Sequence, residues 1–120
     1  MESPHEREEG CEGEGEPSCG TSAVEVLDEA TAARLAATFS VLSDPTRVRM
    51  ISALAERELC VHELAQALQM TQSAVSHQLA LLREMGLVMN TKSGRHVYYA
   101  LDDSHIHDLY AQGLAHLRHR

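Results

Sequence analysis

The sequence predicts a mainly α-helical domain with one small β-hairpin, and three observations carry that prediction. Apolar residues recur at helical spacing in five separate stretches. Aromatic residues make up only 3% of the 120 residues and Trp is absent, while hydrophobic residues reach 43%. Ala, Leu and Val must therefore do the packing, and Ala and Leu favour helices. One stretch, residues 87–101, instead reads as two strands around a basic, glycine-containing tip. At this length a single small domain is expected.

Residues 1–22 are rich in Glu, Gly, Pro and Ser, with almost no aliphatics. They read as a disordered acidic tail carrying Cys11 and Cys19, ahead of a folded domain over residues 23–120. Leu35, Ala36, Phe39 and Leu42 place a first helix over about residues 28–42. Ser43-Asp44-Pro45 punctuates the chain, with Pro45 suited to the first turn of a helix over about 46–56 that buries Val48, Ile51 and Leu54. Val61, Leu64, Ala65 and Leu68 give a short helix over 61–68. Thr71 can cap the next, over 72–85, whose inward face is Val75, Leu79, Leu82 and Met85. Gly86 ends that helix, as a residue free to adopt the left-handed conformation. Leu87–Thr91 and His96–Leu101 are the strands, flanking Lys92-Ser93-Gly94-Arg95, and a last helix runs from about Asp103 towards the end.

Two short helices joined by a tight turn suggest a helix-turn-helix. Gln72, Ser73, Ser76, His77 and Ala80 give the second helix a small, polar outer face, suited to a major groove. The hairpin then reads as a β-wing, whose tip cations Lys92 and Arg95 would contact phosphates or a narrow minor groove. Whole-chain charge does not exclude DNA. Seven Glu and one Arg in residues 1–20 account for most of the net −8. Within the domain Arg83, Lys92 and Arg95 cluster with Glu84 alone opposing them, and local patches make the electrostatic footprint. No apolar run approaches the roughly 20 residues of a membrane span. The amino terminus lacks the basic and apolar regions of a signal peptide, so a cytoplasmic location with reduced thiols is expected. Three Cys make no disulfide framework.

The last helix carries Asp103, His105, His116 and His119. At about 1.5 Å per residue His105 and His116 lie roughly 16 Å apart, and eleven residues is close to three full turns. A zinc ion binds imidazole and carboxylate at roughly 2.0–2.2 Å, which one straight helix cannot arrange from both ends. Two copies packed antiparallel can, with Asp103 and His105 of one chain meeting His116 and His119 of the other, twice by symmetry. The competing reading is a solvated, pH-sensitive helix face, since the chain holds eight His.

These stretches resemble the ArsR/SmtB family of metal-responsive winged-helix repressors over about residues 30–119. The likeness is carried by Leu42-Ser43-Asp44-Pro45-Thr46-Arg47, by Glu58-Leu59-Cys60-Val61-His62-Glu63-Leu64-Ala65, by Gln72-Ser73-Ala74-Val75-Ser76-His77-Gln78-Leu79, and by the wing and final helix. The resemblance implies a winged helix-turn-helix homodimer of about five helices plus a two-stranded wing per chain. It implies that the metal-free dimer binds operator DNA and that Zn(II), or the softer Cd(II) or Pb(II), releases genes for metal efflux or sequestration. It assigns the zinc site to Asp103, His105, His116 and His119. A second metal site would draw on Cys11, Cys19, Cys60 and His62. There His62 stands where a cadmium- and lead-sensing branch has a second Cys, and the tail cysteines are more widely separated than in that branch. Mixed thiolate ligands suit softer ions. Cys60 equally fits a small buried hydrophobe.

Two other readings stay open on the sequence. A thiol-redox or persulfide-sensing repressor of the same fold would use Cys60 with a tail cysteine. A zinc hydrolase would use Asp and His ligands with an open water position, but no His-Glu-x-x-His motif is present.

Overall fold

Helix ends are set by residues that satisfy orphan backbone groups, and these divide the chain into its elements. The structure, a computed structural model, describes residues 23–119. Among them the order is α1 (Glu29–Val41), α2 (Pro45–Glu56), β1 (Leu59–Cys60), α3 (Val61–Leu68), α4 (Gln72–Glu84), β2 (Val88–Ser93), β3 (His96–Leu101) and α5 (Ser104–Arg118). The chain divides into two units at Ala32–Ala33, and the hydrophobic core lies in the second.

Asp44 caps α2 by accepting the Arg47 amide at 3.1 Å, and Pro45 follows in its first turn. Thr71 caps α4, its Oγ1 accepting the Ala74 amide at 3.0 Å. Gly86 closes α4 at φ +76°, with the Leu87 amide reaching the Leu82 carbonyl at 2.9 Å and the Gly86 amide the Arg83 carbonyl at 3.0 Å. That pair of bonds is a Schellman closure. The same closure ends α3, with Met70 bonded to Ala65 at 3.0 Å, but there the left-handed residue is Gln69 at φ +57°.

The core draws on α2, β1, α3, α4 and the start of the wing. Met50, Leu64, Val75, Leu79 and Leu82 are fully buried at its centre. Val75, Leu79 and Leu82 bear out the inward face expected of α4, with Met85 half-buried at its edge. Val48 is a correction: it is 39% exposed, and Met50 fills the central place on α2 instead. Val48 turns with Leu42, Leu109 and Leu117 towards an open apolar groove of about 290 Å³ between α2 and α5. Neither α1 nor α5 has a fully buried residue.

The expected wing hairpin is present as β2 and β3, and β1 joins it to make a three-stranded sheet in the order β1-β3-β2. Leu59 pairs with Tyr99 and Cys60 with Tyr98. Two residues are too short to display a period, so β1 exists only because β3 offers it a partner. The β2–β3 register ends at Ser93 opposite His96, leaving Gly94-Arg95 as a two-residue turn with Gly94 at φ +62°. Such tight hairpin turns favour Gly where φ is positive. Lys92 therefore sits in β2 opposite Val97, not in the turn.

Candidate nucleic-acid interface and metal ligands

The inward stripe of α4 fixes what its other side presents. With Val75, Leu79 and Leu82 buried, Gln72, Ser73, Ser76, His77 and Ala80 are all exposed, a short strip of small or polar side chains. Lys92 and Arg95 are exposed on the wing. A helix presenting small side chains can approach a groove closely, while flanking cations meet phosphates.

A residue to which the sequence assigned no role holds this helix in place. Arg47 on α2 is half-buried and donates twice: Nε to Gln78 Oε1 at 3.1 Å, and a terminal nitrogen to the Val41 carbonyl at 2.9 Å. The guanidinium thus ties the middle of α4 to the end of α1. Its only signal in the chain is its place three residues after the Asp44 cap, which says nothing of its acceptors.

Asp103 lies one residue before α5 and caps it, with Oδ1 accepting the amides of His105 at 2.9 Å and Ile106 at 3.2 Å. Its second oxygen, Oδ2, lies 3.4 Å from His105 Nδ1. Partial desolvation raises the Asp103 carboxyl, but the hydrogen bonds from Ile106 and His105 outweigh it, and the group sits below its ordinary value. Both side chains reach solvent, Asp103 at 51% and His105 at 88% exposure. In a tetrahedral site with bonds of roughly 2.0–2.2 Å, neighbouring donors lie about 3.3–3.6 Å apart. The Asp103–His105 pair already has that separation, so these two residues fit one edge of a zinc site. His116 and His119 are exposed at the other end of α5, one turn apart. His116 follows Asp103 by thirteen positions, about 20 Å along the helix. Among the described residues no cluster of three or more His, Cys, Asp or Glu forms within one chain.

Cys60 is a free, half-buried thiol at the junction of β1 and α3. Its amide donates to Glu63 Oε1 at 3.0 Å. That bond, first, and the nearby Arg57 guanidinium hold the Glu63 carboxyl below its ordinary value. His62 is exposed in the first turn of α3 and its Nδ1 lies 3.2 Å from Gln72 Nε2, a contact with no signal in the sequence. Cys11 and Cys19 lie outside the described residues, so only Cys60 and His62 of the second candidate site have a described place. No helix among the described residues is long and apolar enough to cross a membrane.

A helix-turn-helix backed by a β-wing, with a small polar face on its second helix, defines the class of winged helix-turn-helix DNA-binding regulators. Residues 44–89 match the model of the bacterial regulatory protein family arsR. A transcriptional repressor SmtB homolog of Synechocystis sp. is 41% identical over 122 residues, covering 93% of this chain and 92% of that protein. A Staphylococcus aureus protein, a cadmium resistance transcriptional regulatory protein CadC homolog, is 39% identical over 70% of each chain. The solution structure of apo-NmtR superposes with a TM-score of 0.71 at 37% identity, covering 90% of this chain and 87% of that one. The chain belongs to the arsR family of bacterial regulatory proteins: it is a transcriptional regulator, not an enzyme.

Proposed function

We propose that the chain is a zinc-responsive repressor whose metal-free homodimer binds operator DNA and whose metal-loaded form lets it go. The single observation that carries this reading is the division of ligands along α5. Asp103 and His105 present donors 3.4 Å apart at one end, and His116 and His119 stand about 20 Å away at the other. Two antiparallel copies would complete two equivalent sites. The apolar groove between α2 and α5, together with the half-exposed Leu35 and Phe39, is the surface a second chain would cover. Imidazole and carboxylate donors suit Zn(II), whereas Cd(II) or Pb(II) would favour a thiolate site drawing on Cys60, His62 and the tail residues Cys11 and Cys19. The name of the Staphylococcus aureus relative supports a cadmium branch.

Gln72, Ser73, Ser76 and His77 face the bases, and Lys92 and Arg95 the phosphates. Four ligands drawn from two chains fix the relative placement of the two α5 helices, and with it the spacing of the two α4 helices against successive grooves. Such coupling is worth about 1–3 kcal/mol and is reciprocal, so bound DNA weakens metal affinity by the same factor. A cytoplasmic location and an acidic segment of residues 1–22 ahead of the domain belong to the same reading.

The test uses a duplex selected by the metal-free protein and labelled for anisotropy. Zinc should release wild-type protein from it. Chains carrying Asp103→Ala with His105→Ala, or His116→Ala with His119→Ala, should stay bound. A purified mixed dimer of the two, with Cys60→Ser in both chains, should regain one tight zinc ion. Zinc that leaves the wild-type complex intact would overturn the reading, and a mixed dimer that regains none would show that the ligands are not shared between chains.

A further inference from the structure

We propose that His62 is a positioning residue that sets base specificity, by holding the Gln72 carboxamide in the orientation that reads adenine in the major groove. The inference rests on the reading of α4 as the DNA-contacting helix. Gln72 is the first residue of α4, directly after the Thr71 cap, and the N-terminal residues of a recognition helix reach base edges. Its Nε2 lies 3.2 Å from His62 Nδ1. A carboxamide nitrogen only donates, so the ring nitrogen accepts.

The consequence follows from counting hydrogens. Nε2 carries two, and one is committed to His62. One N–H and the Oε1 acceptor remain to meet a base. Adenine presents the complement in the major groove, an N7 acceptor beside an N6 donor. Guanine presents two acceptors, N7 and O6, so Oε1 would face an acceptor there. Without His62 the amide turns freely and has no preset edge. With it, the edge is chosen before DNA arrives, and the ordering cost of binding falls.

His62 is itself well placed for this task. It lies in the first turn of α3, a helix anchored by the buried Leu64, Ala65 and Leu68 and held at its start by the bond from the Cys60 amide to Glu63. The contact therefore links the first turn of one helix of the helix-turn-helix to the first turn of the other. His62 and Gln72 are both exposed, so substitution at either leaves the core untouched.

Selection from a duplex library with a randomised core, by the full chain in the presence of a chelator, reads base preference at every position. Gln72→Ala marks the position that Gln72 reads, by flattening it. In the wild type that position should favour adenine by about fivefold or more, the lower end expected for a bidentate contact. His62→Ala should cut the preference there below about twofold and leave the other positions unchanged, which general damage to the fold would not do. His62→Gln keeps an acceptor and should restore it. His62→Lys only donates and would engage Oε1, turning both Nε2 hydrogens outward, so the preference should move to guanine. An adenine preference kept by both His62→Ala and His62→Lys would overturn the inference, whatever happens to affinity, as would a wild-type preference for another base. A wild-type protein that enriches no sequence would instead overturn the DNA-binding reading itself.

Discussion

The reading half of the molecule and the two helices that flank it are held in different ways. Among the described residues all twelve buried hydrophobic side chains lie between Met50 and Val88, in α2, β1, α3, α4, the turn at Leu87 and the start of β2. Neither α1 nor α5 contributes one, although Leu35 is 47%, Phe39 50% and Leu117 68% exposed. The reading face is thus shaped by a core of its own, while the flanking helices keep apolar surface that water does not favour. In the proposed dimer that surface is covered by a second chain, and metal ligands sit on the same flanking helix. An effector can then move one reading head relative to the other without repacking either.

The largest expected effect tests this contrast directly. Leu79→Ala removes a fully buried side chain and should cost about 2–5 kcal/mol in denaturant unfolding, at any protein concentration. Leu117→Ala should change unfolding of the dilute protein by no more than about 0.5 kcal/mol, the range of ordinary surface substitutions. It should instead weaken self-association by about tenfold in sedimentation. Equal effects of both on unfolding of the dilute protein would erase the distinction between the two regions.

Arg47 bridges the regions, so its removal should be felt in both. Arg47→Ala takes away the bonds to Gln78 and Val41, and should lower stability by about 1–3 kcal/mol and weaken duplex binding. Arg47→Lys lacks the planar fork and should recover only part of either. Binding that survives Arg47→Ala at full strength would show that α4 is held by the core alone.

Asp103 combines a helix cap with a candidate ligand, and the two roles separate by substitution. Asn caps a helix as well as Asp does. Asp103→Asn should therefore keep the helix content of α5 and still lower zinc affinity, whereas Asp103→Ala should lower both. The folded carboxyl is held below its ordinary value, so its contribution is present above the carboxylate range and is lost as pH falls through the lowered value. Circular dichroism should show acid-dependent fraying of α5 below about pH 4 in the wild type, absent from Asp103→Asn. Zinc affinity unchanged by Asp103→Asn would remove Asp103 from the ligand set.

The smallest effect belongs to the turn between the reading helices. Gln69 holds φ +57° at a place where Gly is favoured. Gln69→Gly should leave DNA binding unchanged and raise stability by at most about 1 kcal/mol, as relief of the left-handed backbone is partly offset by the freer unfolded chain. A rise well above that in thermal unfolding would mean that Gln69 carries strain beyond its dihedral.

Local chemistry made much of this protein legible in its sequence. Asp44-Pro45, Thr71 and Gly86 mark helix ends because caps act within three or four residues, and the structure uses each as expected. The inward face of α4 followed from helical period, and the exposed strip of Gln72, Ser73, Ser76 and His77 followed from that face. Tertiary contacts decided the rest. β1 has two residues and exists through Tyr98 and Tyr99 of β3, about forty positions away. Met50 rather than Val48 fills the core because the direction in which α2 meets its neighbours selects between two apolar positions that periodicity does not rank. Arg47 finds acceptors in Val41 and Gln78, and His62 finds Gln72, through distances that no local pattern encodes. The chain itself determined which residues carry the chemistry. Only the packing of helix against helix decided which of them touch, because side-chain contacts depend on the placement of whole elements and not on sequence spacing.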